Sequence, residues 1–111
     1  MSTLSTHVLD TMHGTPAAGL TITLAGPDGL IAQGLTNEDG RAPGLAPAQL
    51  APGRYSLTFA VADYFRTKGV TLPEPPFLDA VTIDFGLSPD GGHYHVPLLV
   101  SPFSYSTYRG S

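Results

Sequence analysis

The sequence contains no cysteine and few charged residues. The absence of cysteine from all 111 residues excludes disulfides, thiolate zinc sites and cysteine nucleophiles. Only 13% of the residues are charged, and the net charge of −4 argues against a nucleic-acid partner, because such proteins usually carry a basic face. No apolar run approaches the ~20 residues that span a bilayer. A surface this poor in charge is compatible with burial against other subunits.

The N-terminal residues 1–6 have neither a positively charged region nor an apolar one, so they do not resemble a secretory signal. We therefore expect a cytoplasmic protein without membrane contact. A chain of this length buries roughly two-thirds of the surface that its extended form exposes. Residues 1–111 are accordingly expected to form one domain.

Glycine and proline divide the chain into short segments. The 13 glycines and 11 prolines leave seven β-rich runs between them, a spacing that predicts a sandwich or barrel. Residues 62–69 break this pattern and predict one short helix, with Asp63 as a possible cap and Gly69 ending the last turn. The predicted strands are Thr6–Leu9, Leu20–Ala25, Leu30–Thr36, Tyr55–Val61, Ala80–Phe85, Tyr94–Val100 and Ser104–Tyr108.

The densest polar signal is His93-Tyr94-His95. Side chains two apart on a strand share a face, so His93 and His95 are expected on the face opposite the core. Histidine acts as a general base near neutral pH because its ordinary pKa is about 6.5. Alternatively, these two residues and His7 hold zinc with a water molecule. A third interpretation gives the strand histidines only ordinary surface or hydrogen-bonding roles.

Two further segments are candidates for binding an anion. In the turn 36–41, the Arg41 guanidinium is suited to a carboxylate or an anionic heterocycle, unless Glu38 and Asp39 neutralise it. At the C-terminus, Ser111 supplies a hydroxyl and the chain's α-carboxylate. A conventional serine nucleophile is not expected there, because the chain has no Gly-X-Ser-X-Gly turn and no N–H follows Ser111 to build an oxyanion hole.

Three separated motifs resemble the signatures of the transthyretin-related family. They are residues 4–10 followed by 14–17, residues 36–41, and residues 93–99 together with the closing segment Tyr108-Arg109-Gly110-Ser111. The resemblance covers essentially the whole chain. The closing segment resembles the hydrolases of this family, and it separates them from transthyretin, the hormone carrier of the same fold.

The resemblance implies an all-β, transthyretin-like sandwich of two four-stranded sheets with one short helix. It also implies a homotetramer with active sites at the dimer–dimer interface, and cofactor-independent hydrolysis of 5-hydroxyisourate in urate breakdown. On the matching positions, the implied catalytic residues are His7, Arg41 and His95, and the implied substrate-binding residues are Thr107, Tyr108 and Ser111. The alternatives are a transthyretin-like carrier without catalysis, a zinc-dependent hydrolase and a structural β-domain.

Overall fold

The structure is a computed structural model, and it describes residues 1–110. Within them, the N-terminal half contains β1 (Ser2–Ser5), β2 (Val8–Asp10), β3 (Thr15–Pro16), β4 (Thr21–Gly26) and β5 (Gly29–Leu35). The C-terminal half contains β6 (Gly53–Phe59), α1 (Val61–Thr67), β7 (Val81–Leu87), β8 (Gly92–His95), β9 (Leu98–Val100) and β10 (Tyr105–Thr107). No helix of these residues is long and apolar enough to cross a membrane.

Two four-stranded sheets form the sandwich, as predicted. One has the strand order β5-β4-β6-β7 and is antiparallel throughout, and the other has the order β10-β9-β2-β3. A separate parallel pair joins β1 to β8. Alternating residues of the strands meet in the core, as period-two apolar patterns require. The fully buried core includes Val8, Ile22, Leu24, Leu57, Phe59, Leu98 and Val100.

All seven predicted strands have somewhat different boundaries in the structure, and two of these differences bear on the site. The predicted strand Tyr94–Val100 is divided into β8 and β9 at Pro97, which has no N–H to donate to a neighbouring strand. The predicted strand Thr6–Leu9 was also wrong in its bounds, since β1 ends before it and β2 begins within it. The pairing of β1 with β8 and that of β2 with β9 nevertheless have the same register, in which each residue lies beside the residue ninety positions later. Ser5 therefore lies beside His95.

The predicted helix is present, but Asp63 does not cap it. The helix begins two residues earlier, and no side chain caps its first turn. Instead, the backbone N–H of Ala62 donates to the carbonyl of Asp79, which precedes β7, at 2.9 Å. Gly69 follows the helix with φ of +80°, a conformation that favours glycine, so the predicted end of the helix is confirmed.

A buried carboxylate attaches this helix to β2. The side chain of Asp10 is fully buried and accepts a hydrogen bond from the Tyr64 hydroxyl at 2.8 Å. It also accepts one from the backbone N–H of His13 at 3.0 Å and contacts the His13 ring. Burial alone raises the pKa of Asp10, but the hydrogen bonds from His13 and Tyr64 outweigh it and hold the pKa below its ordinary value.

Replacing Tyr64 with phenylalanine should lower the free energy of unfolding by about 1.5–3 kcal/mol, because a buried carboxylate loses a donor. Since the pKa of Asp10 is lower in the folded state, its stabilisation is present above pH ~4 and is lost as the pH falls through the folded-state pKa. The variant should therefore lose stability less steeply on acidification. Urea unfolding at several pH values measures both effects. Tyr105→Phe is the exposed control, and equal stability of Tyr64→Phe and wild type would contradict the expectation.

Candidate active site

Strand β8 presents two histidines on one face. His93 is exposed and His95 is half-buried, whereas Tyr94 between them points into the core and is 7% exposed. This confirms the alternation predicted from the sequence. The two imidazoles border an open depression of about 800 Å³. Its other lining residues are Tyr108, Arg109 and Gly110.

Two neighbours, Ser5 and Gly110, contact His95. The Ser5 hydroxyl lies 2.8 Å from its Nδ1, and the N–H of Gly110 donates to its main-chain carbonyl at 2.7 Å. A Cβ on Gly110 would lie 2.7 Å from Cδ2 of the imidazole, so a side chain there would displace the ring. Within residues 1–110, no protein group hydrogen-bonds with Nε2 of His95. As far as the described residues go, Nε2 is therefore the ring nitrogen open to a ligand or to water.

The pKa of His95 is lowered from its ordinary value. Burial is the main cause, and the positive charge of Arg41 is the next. His7 and His93 add to the effect through their own charges. A lowered pKa keeps the ring neutral at pH 7, and a neutral imidazole is the form that accepts a proton.

His7 lies beside Arg41, because their main chains form an antiparallel bridge. Its Nε2 is 2.8 Å from the carbonyl oxygen of Asp39. A carbonyl oxygen only accepts hydrogen bonds, so Nε2 must carry the proton. In the neutral ring, Nδ1 of His7 is then the nitrogen with a free lone pair.

The predicted turn before Arg41 is present. The side-chain oxygen of Asn37 accepts hydrogen bonds from the N–H groups of Asp39 and Arg41, both at 3.0 Å. Gly40 has φ of +76°, and a Cβ there would overlap the carbonyl of Val8. Only glycine fits this close approach between the turn and the start of β2.

The Arg41 side chain is exposed, and its guanidinium is not neutralised by direct pairing with its neighbours in the turn. Among residues 1–110, neither Glu38 nor Asp39 forms an ion pair with it. Its charge acts on His95 instead, where it contributes to the lowered pKa. The local field near His95 is therefore positive although the whole chain is acidic, since distant charges are screened over about 8–10 Å.

The residues expected to bind substrate lie in different positions. Tyr108 is 59% exposed and lines the depression beside His95. Thr107 does not line that depression; it lines an adjoining one, and its hydroxyl donates to the carbonyl of Pro97 at 2.7 Å. Ser111 lies outside the described residues.

Sequence reasoning missed three residues at this site. Thr3 and Ser5 of β1 contact the histidines, and Arg109 stacks its guanidinium 3.9 Å from the ring centroid of Tyr94. The only signal for Thr3 and Ser5 in the sequence is their spacing: these two hydroxyl residues are two positions apart, as His93 and His95 are. Their pairing is not readable from one sequence, because nothing local specifies the partner of a parallel strand.

The zinc alternative has no support in this geometry. Within residues 1–110, no three side chains of His, Asp or Glu are grouped closely enough to hold a metal ion. Both ring nitrogens of His93 already have hydroxyl partners, Thr3 and Ser5. What the arrangement offers is a neutral imidazole, a second imidazole and a guanidinium, which suits proton transfer on an anionic molecule.

The fold and the site together define a transthyretin-like β-sandwich with a depression beside β8 that is lined by two imidazoles and one guanidinium. The chain belongs to the family described as HIUase/Transthyretin, whose profile matches residues 4–110. The resemblance found in the sequence motifs is thereby confirmed.

Individual relatives show how far the similarity extends. The 5-hydroxyisourate hydrolase of Ralstonia nicotianae is 56% identical over 117 aligned residues, covering 100% of both chains. The structure of the Klebsiella pneumoniae 5-hydroxyisourate hydrolase matches with a TM-score of 0.86 and 40% identity, over 99% of this chain and 100% of that one. Sea bream transthyretin in complex with thyroxine matches with a TM-score of 0.84 and 32% identity, over 96% and 93%.

A longer protein contains a similar unit. The crystal structure of (S)-allantoin synthase matches with a TM-score of 0.89 and 45% identity over 99% of this chain. The match covers 44% of the synthase, so this chain spans less than half of that protein. The similarity therefore concerns one part of the synthase only.

Proposed function

We propose that this protein hydrolyses 5-hydroxyisourate to 2-oxo-4-hydroxy-4-carboxy-5-ureidoimidazoline, without a cofactor, as a step in urate breakdown. The observation that carries the proposal is the half-buried His95, whose pKa is lowered and whose Nε2 has no protein partner among residues 1–110, near the charge of Arg41. The 5-hydroxyisourate hydrolases that resemble the whole chain support the same substrate.

In the proposed reaction, His95 is the general base. Its Nε2 takes a proton from water, and the water oxygen bonds to an electrophilic ring carbonyl carbon of the substrate. General-base catalysis by a positioned imidazole contributes about 10²–10⁴-fold to the rate. The carbon–nitrogen bond of the ring then breaks, and the leaving nitrogen receives a proton.

Arg41 and His7 supply the other two roles. The exposed guanidinium of Arg41 binds the anionic heterocycle and stabilises the charge that forms on its oxygen. His7 protonates the leaving nitrogen. Because its Nε2 donates to Asp39, His7 can act as an acid only through Nδ1, and therefore only as an imidazolium.

The remaining parts of the proposal concern binding and assembly. Tyr108 and Thr107 shape the pocket, and Ser111 anchors the substrate through its hydroxyl or carboxylate. Because the depression is open in the single chain, we propose that a homotetramer completes it at the dimer–dimer interface. We also propose that residues 1–111 form one domain and that the protein works in the cytoplasm. Cell fractionation tests this location.

The function is tested by generating 5-hydroxyisourate from urate in situ with urate oxidase and following its ultraviolet absorbance. Addition of the protein should accelerate the loss of the intermediate, and a chelator should not change the rate. Sedimentation of the same preparation should give four times the chain mass of 11.6 kDa. Decay no faster than the spontaneous rate, with the protein folded, would overturn the proposal and favour a carrier like transthyretin.

A further inference from the structure

A chain of hydroxyls and imidazoles leads from the protein surface to His95. The hydroxyl of Thr3 lies 2.7 Å from Nδ1 of His93. The hydroxyl of Ser5 lies 3.0 Å from Nε2 of His93 and 2.8 Å from Nδ1 of His95. The parallel register of β1 and β8 produces this order, because it sets each hydroxyl beside one imidazole.

The number of protons restricts how this chain is ordered. A hydroxyl has one proton, so Ser5 donates to one ring and must accept from the other. If Nε2 of neutral His95 is to accept a proton, its Nδ1 carries the hydrogen and donates to Ser5. Ser5 then donates to Nε2 of His93, and Nδ1 of His93 donates to Thr3. All three contacts are satisfied in this arrangement.

We propose that Ser5 and His93 form a proton relay for His95, in which Ser5 sets the tautomer of His95 and His93 exchanges the proton with solvent. The inference rests on the proposed hydrolytic function. When Nε2 of His95 takes a proton, its Nδ1 passes one to the Ser5 oxygen, and the Ser5 hydroxyl proton moves to Nε2 of His93. Only N–H and O–H bonds are exchanged, and one positive charge moves from His95 to His93.

The surroundings of His95 favour this movement of charge. Burial and the nearby Arg41 and His7 disfavour a positive charge on His95. His93 is exposed, so water stabilises its imidazolium and can remove the proton. Arg109 donates to the main-chain carbonyl of His93 at 3.5 Å, and its guanidinium stacks on the ring of Tyr94, the core-facing residue between the two histidines.

Two substitutions separate a relay from a merely structural role. Ser5→Ala should lower kcat about 10- to 100-fold with little change in KM, because His95 loses the group that orients it. Ser5→Thr, which keeps the hydroxyl, should retain most of kcat. His93→Gln should also lower kcat, and imidazole added to the buffer should restore it by exchanging the proton in place of His93. Ser56→Ala, in strand β6 of the antiparallel sheet, is the control for the loss of a serine hydroxyl.

A wild-type kcat in folded His93→Gln at low buffer concentration would overturn the relay, as would full activity of Ser5→Ala. The ring nitrogens also give a test that needs no substrate. In ¹⁵N NMR at a pH where His95 is neutral, its proton should lie on Nδ1, and Ser5→Ala should abolish this preference. A neutral His95 with its proton on Nε2 would overturn the inference. Failure of the wild-type protein to consume 5-hydroxyisourate would instead overturn the proposed function.

Discussion

Replacing His95 with glutamine should lower kcat/KM for 5-hydroxyisourate by about 10²- to 10⁴-fold, the range expected when a positioned general base is removed. Glutamine can keep a hydrogen bond to Ser5 but cannot accept a proton from water. The half-buried position and the close approach of Gly110 favour a replacement of similar length. The assay is the loss of the intermediate generated by urate oxidase, with circular dichroism to verify folding.

The matched control for this change is His13→Gln. His13 lies in the turn after β2, where its ring contacts Asp10 and lies near Phe65. We expect that variant to lose stability rather than turnover. If His95→Gln retained near-normal kcat/KM, the base would have to be another group, and Nδ1 of His7 would be the first candidate because its lone pair is free in the neutral ring.

The faces of individual strands could be predicted from the sequence. The alternation around Tyr94 correctly placed His93 and His95 away from the core, because side-chain direction along a strand is a local property with period two. The same holds for the turn before Arg41, whose asparagine and glycine determine its shape locally. These features depend on residues close together in the chain.

The pairing of distant segments could not be predicted in the same way. Ser5 contacts His95 only because β1 runs parallel to β8, ninety residues later, in one particular register. His7 meets Arg41 through an isolated bridge outside any strand, which no periodicity announces. The break between β8 and β9 could have been predicted, because Pro97 has no N–H to donate within a strand. The predicted strand Tyr94–Val100 nevertheless ran through it.

Resemblance to the family supplied what local patterns lacked. It groups His7, Arg41 and His95 without any knowledge of strand pairing. In the structure, His7 pairs with Arg41, and the charges of both lower the pKa of His95. It did not identify Ser5, because the motif match carries no information about which hydroxyl orients an imidazole. The hydrogen bond between Ser5 and His95, which sets the proposed tautomer, is therefore visible only in the three-dimensional structure.

Replacing Arg41 with glutamine should lower kcat/KM about 10²- to 10³-fold, the cost of removing one preorganised charge-stabilising donor. It should also raise the pKa of His95 part of the way toward its ordinary value of about 6.5. Burial would still lower that pKa, but the positive charge of Arg41, the second cause, would be gone. The acidic limb of the pH profile of kcat/KM should move to higher pH, because His95 would become protonated, and so inactive as a base, at a higher pH. Proton NMR titration of His95 measures the pKa independently of activity. Arg54→Gln, at an exposed position in strand β6, is the charge-matched control. An unchanged pKa of His95 in Arg41→Gln would mean that Arg41 does not act electrostatically on His95.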